Sequence, residues 1–388
     1  MTLVRFGSIM PLPSRQLPGK SLAKQQGTVL VTVLMMFAIA AFMAAEMGYR
    51  QKYDVRRTSA MLMTEQAREY LTGAEQVAKL ALIEDFKSDR KNNAYVDSLN
   101  EIWATRQPPF PVDGGYIQGQ LIDAQSLFNI NNLILPDTGK PSPTAKTIFI
   151  NIMNGLDIPK EGSAEAVYEK IVDWLDTDQN ETGTDGREDS YYMGLKRPYR
   201  TGGQPLADLS ELRAIDGIDR DTFEKLAPHI VALPPGTPIN LNTAESELLS
   251  AAQVKNIDQL LSRRNKNPVK ANEVAQYLPK SAPTGDTTEG SDSEDTGDTN
   301  TQRNASSVGT AVKDSGFSAN SEYFELRAAA KIGERTLYSR AIVYRKATQG
   351  ASDDAASRAN DGRLQVIYRA FVDPLQQPDP VVATPASE

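Results

Sequence analysis

"KQQGTVLVTVLMMFAIAAFMAAEM", residues 24–47, decides how the rest of the chain is read. From Thr28 to Ala45 it runs eighteen residues without a charge, and a helix of that length is ~27 Å long, close to the thickness of a bilayer's hydrocarbon core. The 27 residues before Thr28 hold Arg5, Arg15, Lys20 and Lys24 and no acid, the bias of a segment kept on the cytoplasmic side. Two readings are open. The run is either the apolar part of a cleavable signal, cut at a small-residue site such as Ala38–Ala40, or an anchor that stays in the protein. It is longer than the ~7–15 residues of an ordinary signal core, and no polar stretch precedes those sites, which favours the anchor.

The sequence beyond Glu46 extends the helix. No proline occurs between Glu46 and Pro108, and Ala60, Met63, Ala67, Tyr70, Ala74, Val77 and Ala81 recur at spacings of three and four. That periodicity predicts an amphipathic helix continuous with the apolar one. Further on, "GGYIQGQLIDAQ" (Gly114–Gln125) reads as a strand. "YFELRAAAKIGERTLYSRAIVYR" (Tyr323–Arg345) reads as a hairpin turning at Gly333-Glu334, which pairs Ala330 with Leu337, Ala328 with Ser339, Leu326 with Ala341 and Phe324 with Val343. "GRLQVIYRAFV" (Gly362–Val372) supplies another strand. The fold class expected is α+β, a long N-terminal helix packed on a small antiparallel sheet.

Nearly two hundred residues separate the first strand from the hairpin, too many for a loop. Short apolar-periodic stretches over 142–156, 163–175, 206–215, 219–233, 243–254 and 256–265 predict an inserted all-α domain over 129–280. Residues 281–311 form an acidic Thr/Ser/Gly-rich segment that reads as a linker, and 374–388 reads as an unstructured tail.

Composition excludes much chemistry. The chain of 388 residues carries a formal charge of −8 and no cysteine, so nucleic-acid binding is not expected and thiol chemistry is absent. A single histidine, His229, leaves no Ser–His–Asp triad or histidine-rich metal site. "DWLDTDQNETGTDGREDSYY" (Asp173–Tyr192) stands out, with seven acids against one base. The alternation of Asp176, Asp178 and Asn180 is that of a calcium loop, although Glu181 stands where glycine is expected and Glu188 falls one place late. The expected ligands are Asp176, Asp178, Asn180, Glu188 and Asp189, with Asp173 behind them; a solvated acidic loop is the alternative. "DLSELRAIDGIDRDTFEKLAPHI" and "INLNTAESELLSAA" each resemble half of a helix-hairpin-helix or SAM-like module. Asp219 stands where DNA-binding versions place glycine, so a protein-binding scaffold fits better than a DNA reader.

"KQQG" ahead of an apolar helix that becomes amphipathic resembles the type IV prepilin class. The resemblance implies cleavage between Gly27 and Thr28 by prepilin peptidase and N-methylation of Thr28. The fifth mature position, usually glutamate, is Thr32, which suggests a subunit at the end of a fibre. Together with "LIDAQSLFNINNL", "VDWLDTDQ", "EDSYY", "PLADLSELR" and "TPINLNTA", the chain resembles the minor pseudopilin K family of type II secretion systems. That family implies a non-enzymatic subunit at the pseudopilus tip, with minor pseudopilins I and J and other pseudopilins as partners, anchored in the inner membrane and helping to start fibre assembly for the export of folded proteins. The segments expected are a leader (1–27), a membrane half-helix (28–45), a first pilin-like part (46–128), the insertion, the linker, a second pilin-like part (312–373) and the tail. A membrane-tethered DNA-uptake protein is the rival.

Overall fold

The structure, a computed structural model, describes residues 26–92, 95–159, 162–278, 316–346 and 363–372. The expected leader up to residue 25, the acidic segment 281–311 and the tail 374–388 lie outside these. Contacts divide the chain into two units, one ending at Leu62 and the other beginning at Met63. In the first, the described residues all belong to helix α1 (Gln26–Asn92). Its apolar window reaches a mean hydropathy of 2.4 with none of it buried. This helix is long and apolar enough to cross a membrane.

In the second unit the remainder of α1 packs on a five-stranded sheet ordered β1-β2-β7-β8-β9. Its strands are β1 (Phe110–Val112), β2 (Gly115–Asp123), β7 (Tyr323–Ile332), β8 (Arg335–Arg345) and β9 (Leu364–Val372), all antiparallel to their neighbours. The hairpin register is the one read from the alternation: Ala330 faces Leu337 and Phe324 faces Val343. Phe324, Leu326, Ala328 and Ala330 of β7 meet Ala67, Leu71, Ala78 and Leu82 of α1 in one core.

Of the expected stripe, Ala67 lies in this core and Met63, Tyr70, Ala74 and Ala81 pack against it, while Val77 departs from it. Val77 is 67% exposed, whereas Leu71, Ala78, Leu82 and Phe86 are buried. At 100° per residue, two stripes one position apart both satisfy spacings of three and four, and only packing chooses between them. At the far end of this layer Arg345, the last residue of β8, is 2% exposed. Its Nη1 donates to Asp85 Oδ2 at 2.9 Å, and Nη2 to Asp97 and, at 3.2 Å, to the Ser321 carbonyl. The guanidinium lies 4.7 Å from the centre of the Phe324 ring.

Between β2 and β7 the chain builds a second core around α2 (Pro143–Gly155), α3 (Ala164–Leu175), α4 (Asp189–Met193), α5 (Arg220–Leu226), α6 (Ser246–Ala251) and α7 (Ile257–Arg264). Ser142 and Ser163 cap α2 and α3 through bonds to the N–H groups of Ala145 and Ala166. The insertion is not all-α. β3 (Phe128–Asn129) pairs in parallel with β4 (Ile230–Val231), and β5 (Ile239–Asn240) with β6 (Phe317–Ser318). The expected helix over 206–215 is a 3-10 turn, Leu209–Ala214, and that over 219–233 ends at Leu226 before passing into β4. Two-residue strands leave no periodic signal. Phe317 and Ala319 belong to the helical core, so that core draws on residues beyond 280.

Candidate metal centre

Helix α3 sends Val167, Ile171 and Val172 into the core. A neighbouring face carries Glu169 and Asp173, four residues apart, and Asp176 follows three residues on as the C-cap of α3. The acidic loop folds back on these residues. Asp173 Oδ1 accepts from the Thr182 N–H at 2.9 Å, and Glu169 Oε2 accepts from the N–H groups of Thr184 (3.1 Å) and Asp185 (2.9 Å). Gly186 permits the close approach: a Cβ there would lie 2.3 Å from Asp173 Oδ2 and 2.6 Å from the Thr182 nitrogen. The loop then delivers Glu188, 2% exposed, at the entry to α4.

Asp173, Asp176 and Glu188 thereby converge, each buried, with a carboxylate oxygen of each within 4.8 Å of the others. Asp173 Oδ2, Asp176 Oδ1 and both Glu188 oxygens have no hydrogen-bond partner. Burial raises the Asp173 pKa; it pushes Asp176 up to about 6, with help from Asp178 and Asp173, and Glu188 up to about 8, with help from Asp173 and Asp176. Three buried like charges with four orphaned oxygens need protons or a cation between them. The donor set is all oxygen, which suits a hard cation. Calcium takes oxygens at about 2.4 Å, so two ligands of one ion stand no more than ~4.8 Å apart, a limit these carboxylates meet. The residues fit calcium.

Of the five residues expected to be ligands, Asp176 and Glu188 are brought together. The others have further partners. Asp178 Oδ1 accepts from the backbone and side-chain nitrogens of Asn180, each at 2.8 Å. Asp189 Oδ1 accepts from the Thr201 N–H (2.9 Å) and hydroxyl (3.0 Å), and its Oδ2 lies 3.6 Å from Arg200 Nη1. Asp173, ranked last from sequence, is central; its spacing to Glu169 and Asp176 was the available signal.

The remaining sequence motifs have structural partners. Gly217 (φ +84°) makes the turn before α5, and Asp219 caps that helix through the Thr222 N–H at 2.8 Å. Arg263 is held by both oxygens of Glu273 at 2.6 Å, and Arg264 donates to the carbonyls of Leu241 and Ala244. This basic pair is engaged within the fold. Buried asparagines, unremarked in the sequence as a group, act as staples. Asn131 Oδ1 accepts from the Leu206 N–H (2.8 Å), while Nδ2 donates to the Leu206 (3.0 Å) and Leu233 (2.8 Å) carbonyls. Asn242 bonds the backbone of Val269 and Ala319, and Asn240 reaches Asp123, Ser321 and the Asp97 carbonyl. "FNINNL" and "INLNTA" thus fasten distant loops together. In α1, Gln26 opens the helix, so Gly27 and Thr28 lie in its first turn, and the Thr32 hydroxyl donates to the Val29 carbonyl at 2.9 Å.

Residues 126–235 match the family model described as type II secretion system (T2SS), protein K. The chain is 32% identical over 235 residues to the type II secretion system protein K of Aeromonas hydrophila, covering 58% of this chain and 70% of that one. It is 33% identical over 229 residues to the type II secretion system protein K of Pseudomonas aeruginosa, covering 58% and 68%. Among solved structures it is similar to a chain in the crystal structure of the GspK-GspI-GspJ complex from the enterotoxigenic Escherichia coli Type 2 Secretion System. The TM-score is 0.60 at 27% identity, covering 82% of this chain and 99% of that one.

Proposed function

Because this chain belongs to the type II secretion system protein K family, we propose that it is a minor pseudopilin standing at the tip of the pseudopilus. In this reading it joins minor pseudopilins I and J, starts assembly of the fibre, and supports export of folded proteins across the outer membrane. The role is assembly, not catalysis. The observation that carries it is α1: eighteen uncharged residues from Thr28 to Ala45, followed in the same helix by Ala67, Leu71, Ala78 and Leu82 covering an antiparallel sheet. Such a helix is stored in the inner membrane with the leader in the cytoplasm and the remainder in the periplasm. It later packs among its counterparts in the fibre.

Two physical arguments favour the tip. Subunits inside a helical fibre touch neighbours above and below, and an insertion of this size obstructs that stacking except at an end. Thr32, at the fifth position after the cut, satisfies its hydroxyl within the helix and needs no neighbour's amine, where a buried carboxylate would. We place the peptidase cut between Gly27 and Thr28, with Thr28 N-methylated. Calcium is bound by Asp173, Asp176 and Glu188, with Asp178, Asn180 and Asp189 next to hand, and would supply only charge neutralisation that fixes the loop after α3. The helix-hairpin-helix-like segments serve as a protein scaffold.

Mass spectrometry of the mature N-terminus, from cells with and without prepilin peptidase, tests the reading. A peptidase-dependent start at Thr28 and copurification with minor pseudopilins I and J are expected. A start after Ala40 or Ala45, or no cleavage, overturns it.

A further inference from the structure

The segment Met193–Arg200, "MGLKRPYR", gathers three cations within five residues. The protein carries a formal charge of −8, and some of its exposed cations sit against an acid three or four residues away, as in Arg68–Glu65, Lys87–Glu84, Arg220–Glu224 and Lys225–Asp221. Lys196, Arg197 and Arg200 are all exposed. Among the described residues Lys196 and Arg197 have no carboxylate partner, and Arg200 has only a 3.6 Å contact with Asp189 while 74% exposed. Met193 (49%) and Tyr199 (37%) add exposed apolar surface to the same segment.

The segment is held from behind. The Tyr199 hydroxyl donates to the Ala214 carbonyl at 2.7 Å, and its ring lies 5.1 Å from that of Tyr192 and 6.3 Å from that of Trp174. The Gly194 and Leu195 N–H groups donate to the Tyr191 and Tyr192 carbonyls. On the far side Thr201 is fixed by Asp189, and the Gly203 N–H donates to the Trp174 carbonyl at 3.0 Å. Pro198 restricts Arg197 to extended backbone. Three cations and two soft apolar groups are thus presented on a backbone ordered before any partner arrives, which lowers the entropy lost on binding. Arg, Tyr and Met are the residue types that protein interfaces favour.

We propose that Met193–Arg200 is a docking surface for an acidic polypeptide segment of another protein, read by Lys196, Arg197 and Arg200 with Met193 and Tyr199 as apolar contacts. The partner is a short acidic peptide and not an extended polyanion. Asp189 touches Arg200, and the exposed Asp178, Glu181 and Asp185 belong to the same acidic loop; a peptide short enough to cover only the three cations avoids that loop, whereas the extended charge of a duplex or a membrane surface meets its repulsion as well as the attraction. This surface is independent of the assembly role.

The test is fluorescence anisotropy of a labelled oligoglutamate peptide against the full chain in non-ionic detergent, at low and at moderate salt. Wild type binds at low salt and weakens as salt screens the contact. K196E/R197E lowers affinity by about tenfold or more, because charge pairing across an interface becomes repulsion. K140E/K266E, an equal change of net charge at exposed lysines elsewhere, retains it within about twofold, since the loss is local. If the reversal variant fails to fold, K196Q/R197Q reads the same contrast. Equal losses in both double variants, no binding by wild type at low salt, or tighter binding to duplex DNA or phosphatidylglycerol vesicles than to oligoglutamate overturns the proposal.

Discussion

Replacing Arg345 with methionine leaves Asp85 (4% exposed) and Asp97 (1% exposed) facing each other with no cation between them. Breaking one side of a buried ion pair costs about 3–5 kcal/mol. At roughly 2–4 °C per kcal/mol for a large domain, Tm falls by about 10 °C. The loss has a pH signature. Burial and the neighbouring Asp97 already hold Asp85 at about 6 with Arg345 present, and removing the guanidinium raises it further. A carboxyl whose folded pKa exceeds its unfolded value binds more protons when folded, so stability falls as pH rises through that window. A buried carboxylate can escape by taking up a proton, at about 1.4 kcal/mol per pH unit above an ordinary value near 3.9. That is about 1.5 kcal/mol per carboxyl at pH 5 against about 5 at pH 7.5. The deficit of R345M relative to wild type therefore shrinks by about 2 kcal/mol on going from pH 7.5 to pH 5. Urea unfolding in a W174F background reads it directly, because Trp103 packs 5.1 Å from Phe324 and is the other of the two tryptophans. A deficit under about 1 kcal/mol at pH 7.5, or one unchanged at pH 5, refutes the claim that this arginine neutralises buried acids.

Calcium at about a hundred times its Kd adds ~2.7 kcal/mol to the chelator-treated protein, and Glu188→Gln removes most of that gain; differential scanning calorimetry checks both. Without a cation, the raised values of Glu188 (about 8) and Asp176 (about 6) make stability fall from pH 5 to pH 8. Thermal melts across that range in chelator slope downward, whereas calcium or Glu188→Gln flattens them. Gly186→Ala forces a methyl to 2.3 Å from Asp173 Oδ2, so calcium affinity measured by isothermal titration drops steeply. Asn131→Ala leaves the buried Leu206 N–H without its 2.8 Å acceptor. It costs about 1–3 kcal/mol for that group alone, read from Trp174 fluorescence in a W103F background.

The parts legible in the sequence are those with a long, repeated signal. Eighteen uncharged residues mark the apolar half of α1, and strict alternation fixes β7 against β8 to the residue. The interior of the insertion was only partly legible. A strand such as Ile230–Val231 is stabilised by its partner Phe128–Asn129 about a hundred positions away, and no local window contains both. The candidate metal centre shows the same division. Acid density marks the loop, and of the residues it offers Asp176 and Glu188 converge with Asp173, which lies inside an apolar helical stretch. Its place beside Asp176 and Glu188 follows from its spacing to Glu169 and Asp176 and from the fold-back at Gly186, which is tertiary information. The asparagines of "FNINNL" and "INLNTA" are of a residue type common in turns, and their reach to backbone groups such as those of Leu206 and Val269 has no signature in one dimension.

The pairing of β5 with β6 bears on timing. The helical core is closed by Phe317 and Ala319, so during synthesis α2 to α7 are complete as a stretch of chain well before their core can be. Until Gly316 accepts from the Ile239 N–H and Ser318 from the Leu241 N–H, each about 3 Å apart in the finished fold, Ile239 and Leu241 wait without their last neighbours. Residues 323–345, which the sheet needs, arrive immediately afterwards. The helical core is therefore completed only by residues 317–319, and the sheet core only after them, by β7, β8 and β9.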